Sequence, residues 1–198
     1  MNRPSRPPPA PAAAARRNRS ALLVILGLSF GTLLAAGALR FSGWQPQALK
    51  NRGELLQPYG DLRDHDLILA DGGRYRWKDS PRTWRIVAVP DGCDGARRAA
   101  CAQLLENLDK VWRLMGREAD RVHVLWGGAL PMPATGMREV YPIRMDARLR
   151  TALVPGAATA PGDPVWLVDP YGFVVMRYPS GFDPGDLRSD LARLLKVN

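Results

Sequence analysis

Residues Ser20–Leu39, SALLVILGLSFGTLLAAGAL, form twenty successive positions without a charge. An apolar run of about twenty residues matches the roughly 30 Å hydrocarbon thickness of a bilayer when helical. The run follows a leader whose only charges are Arg3, Arg6, Arg16, Arg17 and Arg19. Basic residues flanking a span stay on the cytoplasmic side, so everything after Arg40 is expected on the far side of the membrane. A cleaved signal peptide is the competing reading, because Ala36-Gly37-Ala38 resembles a small-residue cleavage site. The length argues for a retained anchor, since signal h-regions reach about 15 residues at most. A buried core helix is excluded by size, because the remaining chain cannot enclose a helix that is apolar on every face.

The formal net charge of the 198 residues is +9, but five of the positive charges lie in the acid-free leader, which leaves +4 on the rest. The other arginines are interspersed with nineteen acidic residues and form no basic groove, so nucleic acid is not an expected partner. The leader, rich in Pro, Ala and Arg, lacks the apolar bulk to fold and reads as a disordered cytoplasmic tail over 1–19. The expected order is then the anchor over 20–39, a linker over 40–62 and one domain over 63–198.

Past the linker, Leu67-Ile68-Leu69 and Tyr75-Arg76-Trp77 flank Asp71-Gly72-Gly73 and predict a β-hairpin. WRIVAV, residues 84–89, is the clearest strand, bounded by Pro81 and by Pro90-Asp91-Gly92. Leu104, Leu105, Leu108, Val111, Trp112 and Met115 fall on one helical face, with Gly116 as the expected stop. RVHVLW, residues 121–126, predicts a second strand. An irregular stretch over 131–161 follows, with a short helix near 146–153. A second hairpin, 165–168 with 173–178, turns at Asp169-Pro170-Tyr171-Gly172 with Pro and Gly where a type I turn prefers them. Asp183 and Pro184 are placed as N-cap and first residue of a last helix. Strand, helix and strand argue for a parallel pair, and the late hairpin adds antiparallel strands. The expected fold is α/β, a mixed sheet with helices on its faces.

This order resembles the thioredoxin fold with an extra N-terminal hairpin. The anchor, NRGELLQP (51–58), WRIVAVP running into Cys93, Cys101 at a helix start, and VWLVDPYGFVVMRYP together resemble the SCO/SenC proteins. The likeness is greatest to their bacterial transmembrane relatives associated with cytochrome c oxidase assembly. The resemblance implies a single-pass protein of the bacterial inner membrane with a periplasmic thioredoxin-like domain. It further implies a role in oxidase maturation, with oxidase subunits or other assembly proteins as partners. SCO copper chaperones bind copper through a C-x3-C pair and a distal histidine. Here seven residues separate Cys93 from Cys101, and Val154–Pro164 holds no histidine. Two thiolates without a third ligand tell against copper of the family type, so no cofactor is expected.

Cys93 and Cys101 are the candidate site residues. Eight continuous helical steps would part them by roughly 12 Å, beyond the roughly 7 Å limit for a disulfide. The Pro- and Gly-containing segment around Cys93 permits a loop that folds back, and an oxidising compartment favours the bond. A structural disulfide, a redox pair and a metal-handling pair all remain open readings, and Arg97 and Arg98 stand near enough in sequence to favour a thiolate at Cys101. The resemblance also marks Pro164, with Pro161 as competitor, as a cis-proline facing the cysteines. His123 reads as a packed strand histidine and His65 as solvated. Asp64, His65 and Asp66 lack a rigid element to make them a metal site. The tryptophans read as core, except Trp44, which suits a membrane interface. A membrane-tethered thiol–disulfide oxidoreductase is the alternative to an accessory protein.

Overall fold

A computed structural model describes residues 11–42, 50–133, 136–154 and 162–197. The chain divides into two units, residues 1–49 and residues 50–198. In the first unit, helix α1 runs over Pro11–Phe41. It starts well before the expected span, so the part of the predicted disordered tail from Pro11 onward is helical, while residues 1–10 lie outside the described residues. Arg19–Phe41 is long and apolar enough to cross a membrane, with mean hydropathy 2.3. Its leucines, Ile25 and Phe30 are exposed around the helix, as a segment solvated by lipid requires. Trp44 lies outside the described residues.

The second unit is built on a six-stranded sheet in the order β1-β8-β7-β4-β5-β6. The strands are β1 (Glu54–Asp61), β4 (Trp84–Ala88), β5 (Val122–Gly127), β6 (Val140–Ile143), β7 (Val165–Val168) and β8 (Phe173–Tyr178). Strands β4, β5 and β6 are parallel, and β7, β8 and β1 extend the sheet antiparallel. A separate hairpin pairs β2 (Leu67–Ile68) with β3 (Arg74–Tyr75). Its second strand stops at Tyr75, and Trp77 opens a 3-10 turn instead of continuing it. Two strands fall where no strand is expected from the sequence. β1 occupies the expected linker, and β6 lies in the stretch read as irregular. Each edge strand carries a proline, Pro58 in β1 and Pro142 in β6.

Alternation along the strands feeds two cores. Ile86, Ala88, Val124, Trp126, Val165 and Leu167 pack with helices α2 (Arg98–Arg113) and α4 (Pro184–Val197). Val87, Leu125, Trp166 and Val168 point the other way, toward α3 (Ala147–Leu153) and the β2–β3 hairpin. Helix α2 ends at Arg113, before the expected stop at Gly116, which instead opens a 3-10 turn at φ +59°. Asp146 caps α3 by accepting from the Leu149 N–H at 2.8 Å. Asp190 of α4, buried, accepts from the N–H groups of Arg52 and Gly53 and from the Tyr178 hydroxyl. That carboxylate fastens the chain just before β1 to the helix layer.

Candidate functional site

β4 ends at Ala88, and the chain reverses through Pro90-Asp91-Gly92, with Gly92 at φ +77° where a side chain is disfavoured. The turn delivers Cys93 to the C-terminal end of the parallel strands. A short 3-10 turn, Gly95–Arg97, leads into α2, and Cys101 sits in the first turn of that helix. The loop thus folds back over the helix start, and Cys93 and Cys101 are joined by a disulfide with Cα atoms 5.7 Å apart. The sulfurs have different surroundings. Cys101 is fully buried among the residues of the first core, and Cys93 is half-buried.

Cys93 lines a cleft of about 730 Å³ and Cys101 does not. Val89, Met145, Leu153 and Pro164 give the cleft apolar walls, and Gly127-Gly128 lies at the end of β5. A methyl group at Gly127 would come within 2.8 Å of the Met145 sulfur, so glycine keeps this approach open. Arg150 and Asp91 supply charge to the lining. Trp166 also lines the cleft, and among the described residues its buried indole N–H has no acceptor. An unpaired buried donor costs about 1–3 kcal/mol.

The loop carrying Cys93 is pinned. Arg97 pairs with Asp163 and donates to the Gly92 carbonyl at 3.2 Å. The Asp91 N–H also reaches Asp163, at 3.3 Å, and Arg98 donates to the Pro131 carbonyl at 3.0 Å. The two arginines therefore hold backbone and carboxylate partners around the disulfide. Pro164 borders the cleft beside Cys93 as expected, but its peptide bond is trans. Among the described residues the cis bond is Gln57–Pro58, in β1, and Pro161 lies outside the described residues.

The histidines are engaged elsewhere. The His65 ring is bonded to Asp146 at 2.8 Å and is half-buried, where sequence placed it in solvent. Asp66 pairs with Arg76, so Asp64, His65 and Asp66 do not act together. His123, opposite Arg85 near the far end of β4, belongs to a buried polar chain. Arg85 Nε donates to the Tyr75 hydroxyl at 2.9 Å, and that hydroxyl meets His123 Nδ1 at 2.6 Å. Because Tyr75 accepts from Arg85, its own proton goes to Nδ1, which leaves the imidazole proton on Nε2. Nε2 faces Glu139 at 3.3 Å, and Glu139 also accepts from Tyr141 at 2.8 Å. Burial, then the Arg85 charge, push His123 down to about 4. The ring is therefore neutral at pH 7, as this order of bonds requires.

Among the described residues no three His, Cys, Asp or Glu side chains are grouped to hold a metal. The donor set does not fit the copper site implied by the resemblance. Both sulfurs are bonded to each other, and both imidazoles have other partners. The sequence singles out the cysteines and Pro164 but not Trp166, Met145, Arg150 or Asp163. Its one overlooked signal is the glycine pair directly after an apolar strand.

Residues 84–198 match the family model described as transmembrane-like, thioredoxin-like, C-terminal domain. Several solved structures are similar at low identity. Copper-bound ScoI of Bradyrhizobium japonicum is 16% identical, with 65% of this chain and 96% of that chain covered at a TM-score of 0.44. BsSco, described as a Sco-family cytochrome c oxidase assembly protein with a disulfide switch, is 12% identical, with 77% and 100% covered at 0.49. Peroxiredoxin Q of Xanthomonas campestris is 16% identical, with 74% and 97% covered at 0.43. No curated protein matches the chain.

Proposed function

The chain belongs to the family of transmembrane-like proteins with a thioredoxin-like C-terminal domain, and from that premise we propose that it is a membrane-anchored accessory protein of cytochrome c oxidase assembly. In this reading α1 holds the protein in the bacterial inner membrane. The thioredoxin-like domain lies on the periplasmic side and engages oxidase subunits or other assembly proteins without copper of the family type. Tethering raises the effective concentration of a domain toward membrane-bound partners. The observation that carries the reading is the cleft beside Cys93, which offers a partner an apolar wall next to a half-buried cysteine. Deleting the gene is expected to lower cytochrome c oxidase activity severalfold in isolated membranes, with activity restored by the full-length chain. Unchanged oxidase activity in the deletion strain overturns the role.

The unequal burial of the two sulfurs favours a second reading, a membrane-tethered thiol–disulfide oxidoreductase. A partner thiolate would attack the accessible Cys93 sulfur, forming a mixed disulfide and releasing Cys101 as thiolate. A second partner thiolate would then resolve the mixed disulfide, leaving the partner oxidised and this pair reduced by two electrons. Reduction of insulin with dithiothreitol as electron donor separates the readings. Catalysis abolished by Cys93→Ser supports the enzyme, and no catalysis by the wild-type chain supports an accessory protein with a structural disulfide.

A further inference from the structure

A second cleft, of about 800 Å³, opens at the other end of the sheet from the disulfide. One wall is the segment before β4, with Trp77, Lys78, Pro81 and Arg82, and the other is the β7–β8 turn, with Pro170 and Tyr171. Arg63 and Asp64 complete the lining. Three of its side chains are cationic and one is anionic. Arg63 is already committed to Asp61, with two N–H groups on the carboxylate, and stacks on Phe173. Among the described residues Lys78 and Arg82 have no side-chain partner, and both are exposed.

The walls are fixed from below by Arg85, a fully buried arginine. Its guanidinium donates to the carbonyls of Trp77, Ser80 and Thr83 under one wall and of Pro170 under the other. All of these acceptors are neutral, so the buried charge is spread over carbonyl oxygens and is not cancelled by a carboxylate. It places one positive charge beneath a lining whose Arg63 is balanced by Asp61, Asp64 and Asp169, so Lys78 and Arg82 are the cations left for an incoming group. Tyr171 is 72% exposed although it is aromatic. Its position is held because Asp169 accepts from the N–H groups of Tyr171, Gly172 and Phe173. Arg82 has φ +60°, a region that a non-glycine residue rarely occupies. Backbone strain of this kind persists where surrounding structure enforces it, and it collects at binding sites.

We propose that this cleft docks an acidic segment of a protein partner that carries an aromatic or aliphatic side chain among its carboxylates. Lys78 and Arg82 take the carboxylates. Pro81, Pro170 and Tyr171 take the apolar group, above the buried Trp77. The backbone of both walls is already held by Arg85 and Asp169, so the ordering that binding requires on this side is confined to the Lys78 and Arg82 side chains. The site is separate from the disulfide and does not depend on the chemistry there.

The test uses the full chain in detergent micelles. The probe is a fluorescein-labelled peptide with a central phenylalanine flanked by four glutamates, and the control is the same peptide with glutamines. Fluorescence anisotropy is expected to show binding of the glutamate peptide at least tenfold tighter than the glutamine peptide. The paired substitution Lys78→Glu with Arg82→Glu is expected to weaken binding at least tenfold, and Tyr171→Ala severalfold. Circular dichroism, with titration for free thiols, confirms that the variants keep their fold and disulfide. Equal binding of the two peptides overturns the proposal, as does unchanged affinity in the charge-reversed variant. Phosphatidylglycerol vesicles carrying the full chain provide the last arm. Loss of peptide binding there, but not in phosphatidylcholine vesicles, would assign the cleft to lipid headgroups and overturn a protein partner.

Discussion

At the scale of single residues, two buried polar groups dominate. Arg85 gives its donors to Tyr75 and to backbone carbonyls on both sides of it in sequence. Replacing it with methionine leaves those acceptors buried without donors, at about 1–3 kcal/mol for each group that water cannot reach. Arg85→Met is expected to lose about 3 kcal/mol or more of stability by the same reasoning, read from urea midpoints in detergent. His123 gives a pH dependence. Its folded value of about 4 lies below its ordinary value of 6.5. Between those values the unfolded state binds the extra proton, so stability is complete above about pH 6.5 and is lost as pH falls toward 4. The expected slope is about 1 kcal/mol per pH unit, and His123→Gln is expected to flatten it between pH 5 and 6.5. The lowered carboxylates of Asp61, Glu118 and Asp146 act below that window, since their ordinary values are 3.8 to 4.5. The sequence shows Arg85 only as one charge in an apolar strand. What buries it is a set of carbonyls from elements on both sides, which no local pattern encodes.

At the scale of elements, legibility follows whether the signal is local. β4, β5, β7 and β8 carry apolar runs with turn residues at their ends, and helices α2, α3 and α4 carry apolar faces or caps. β1 has neither. Its side chains are mostly exposed, it contains Pro58 and Gly60, and its pairing shifts register between Leu55 and Gly60. It is a strand because β8 offers it an edge and Asp190 secures its start. β6 is four residues with a central proline, placed by β5 on one side. The disulfide was legible as an option because Pro and Gly near Cys93 allow the loop to return. The cleft was not, because its lining comes from four separate segments. Gly60 tests the placement of β1. A methyl group there would sit 1.9 Å from the Ala152 carbonyl oxygen, so strand and helix α3 must separate. Gly60→Ala is expected to cost about 2 kcal/mol, as overpacking against backbone does, and an unchanged unfolding midpoint would refute this contact.

At the scale of the whole molecule, the division into an apolar helix and a separate sheet domain predicts topology. With five arginines ahead of the span, the positive-inside rule predicts an outward C-terminus. Alkaline phosphatase fused after Asn198 is expected to be active, and a green fluorescent protein fused there after Sec export is expected to be dark. The reverse pattern contradicts the periplasmic placement. A protein confined to a surface meets its own copies often, which makes the rims of its sheet matter. β1 offers a rim with no amide hydrogen at Pro58. At β6 the Ala70 N–H already binds the Pro142 carbonyl, and the Arg144 N–H binds the Ile68 carbonyl. Neither rim presents the unbroken ladder of donors and acceptors that lets sheets zip edge to edge. At these two rims the fold itself resists being extended by a neighbour's strand.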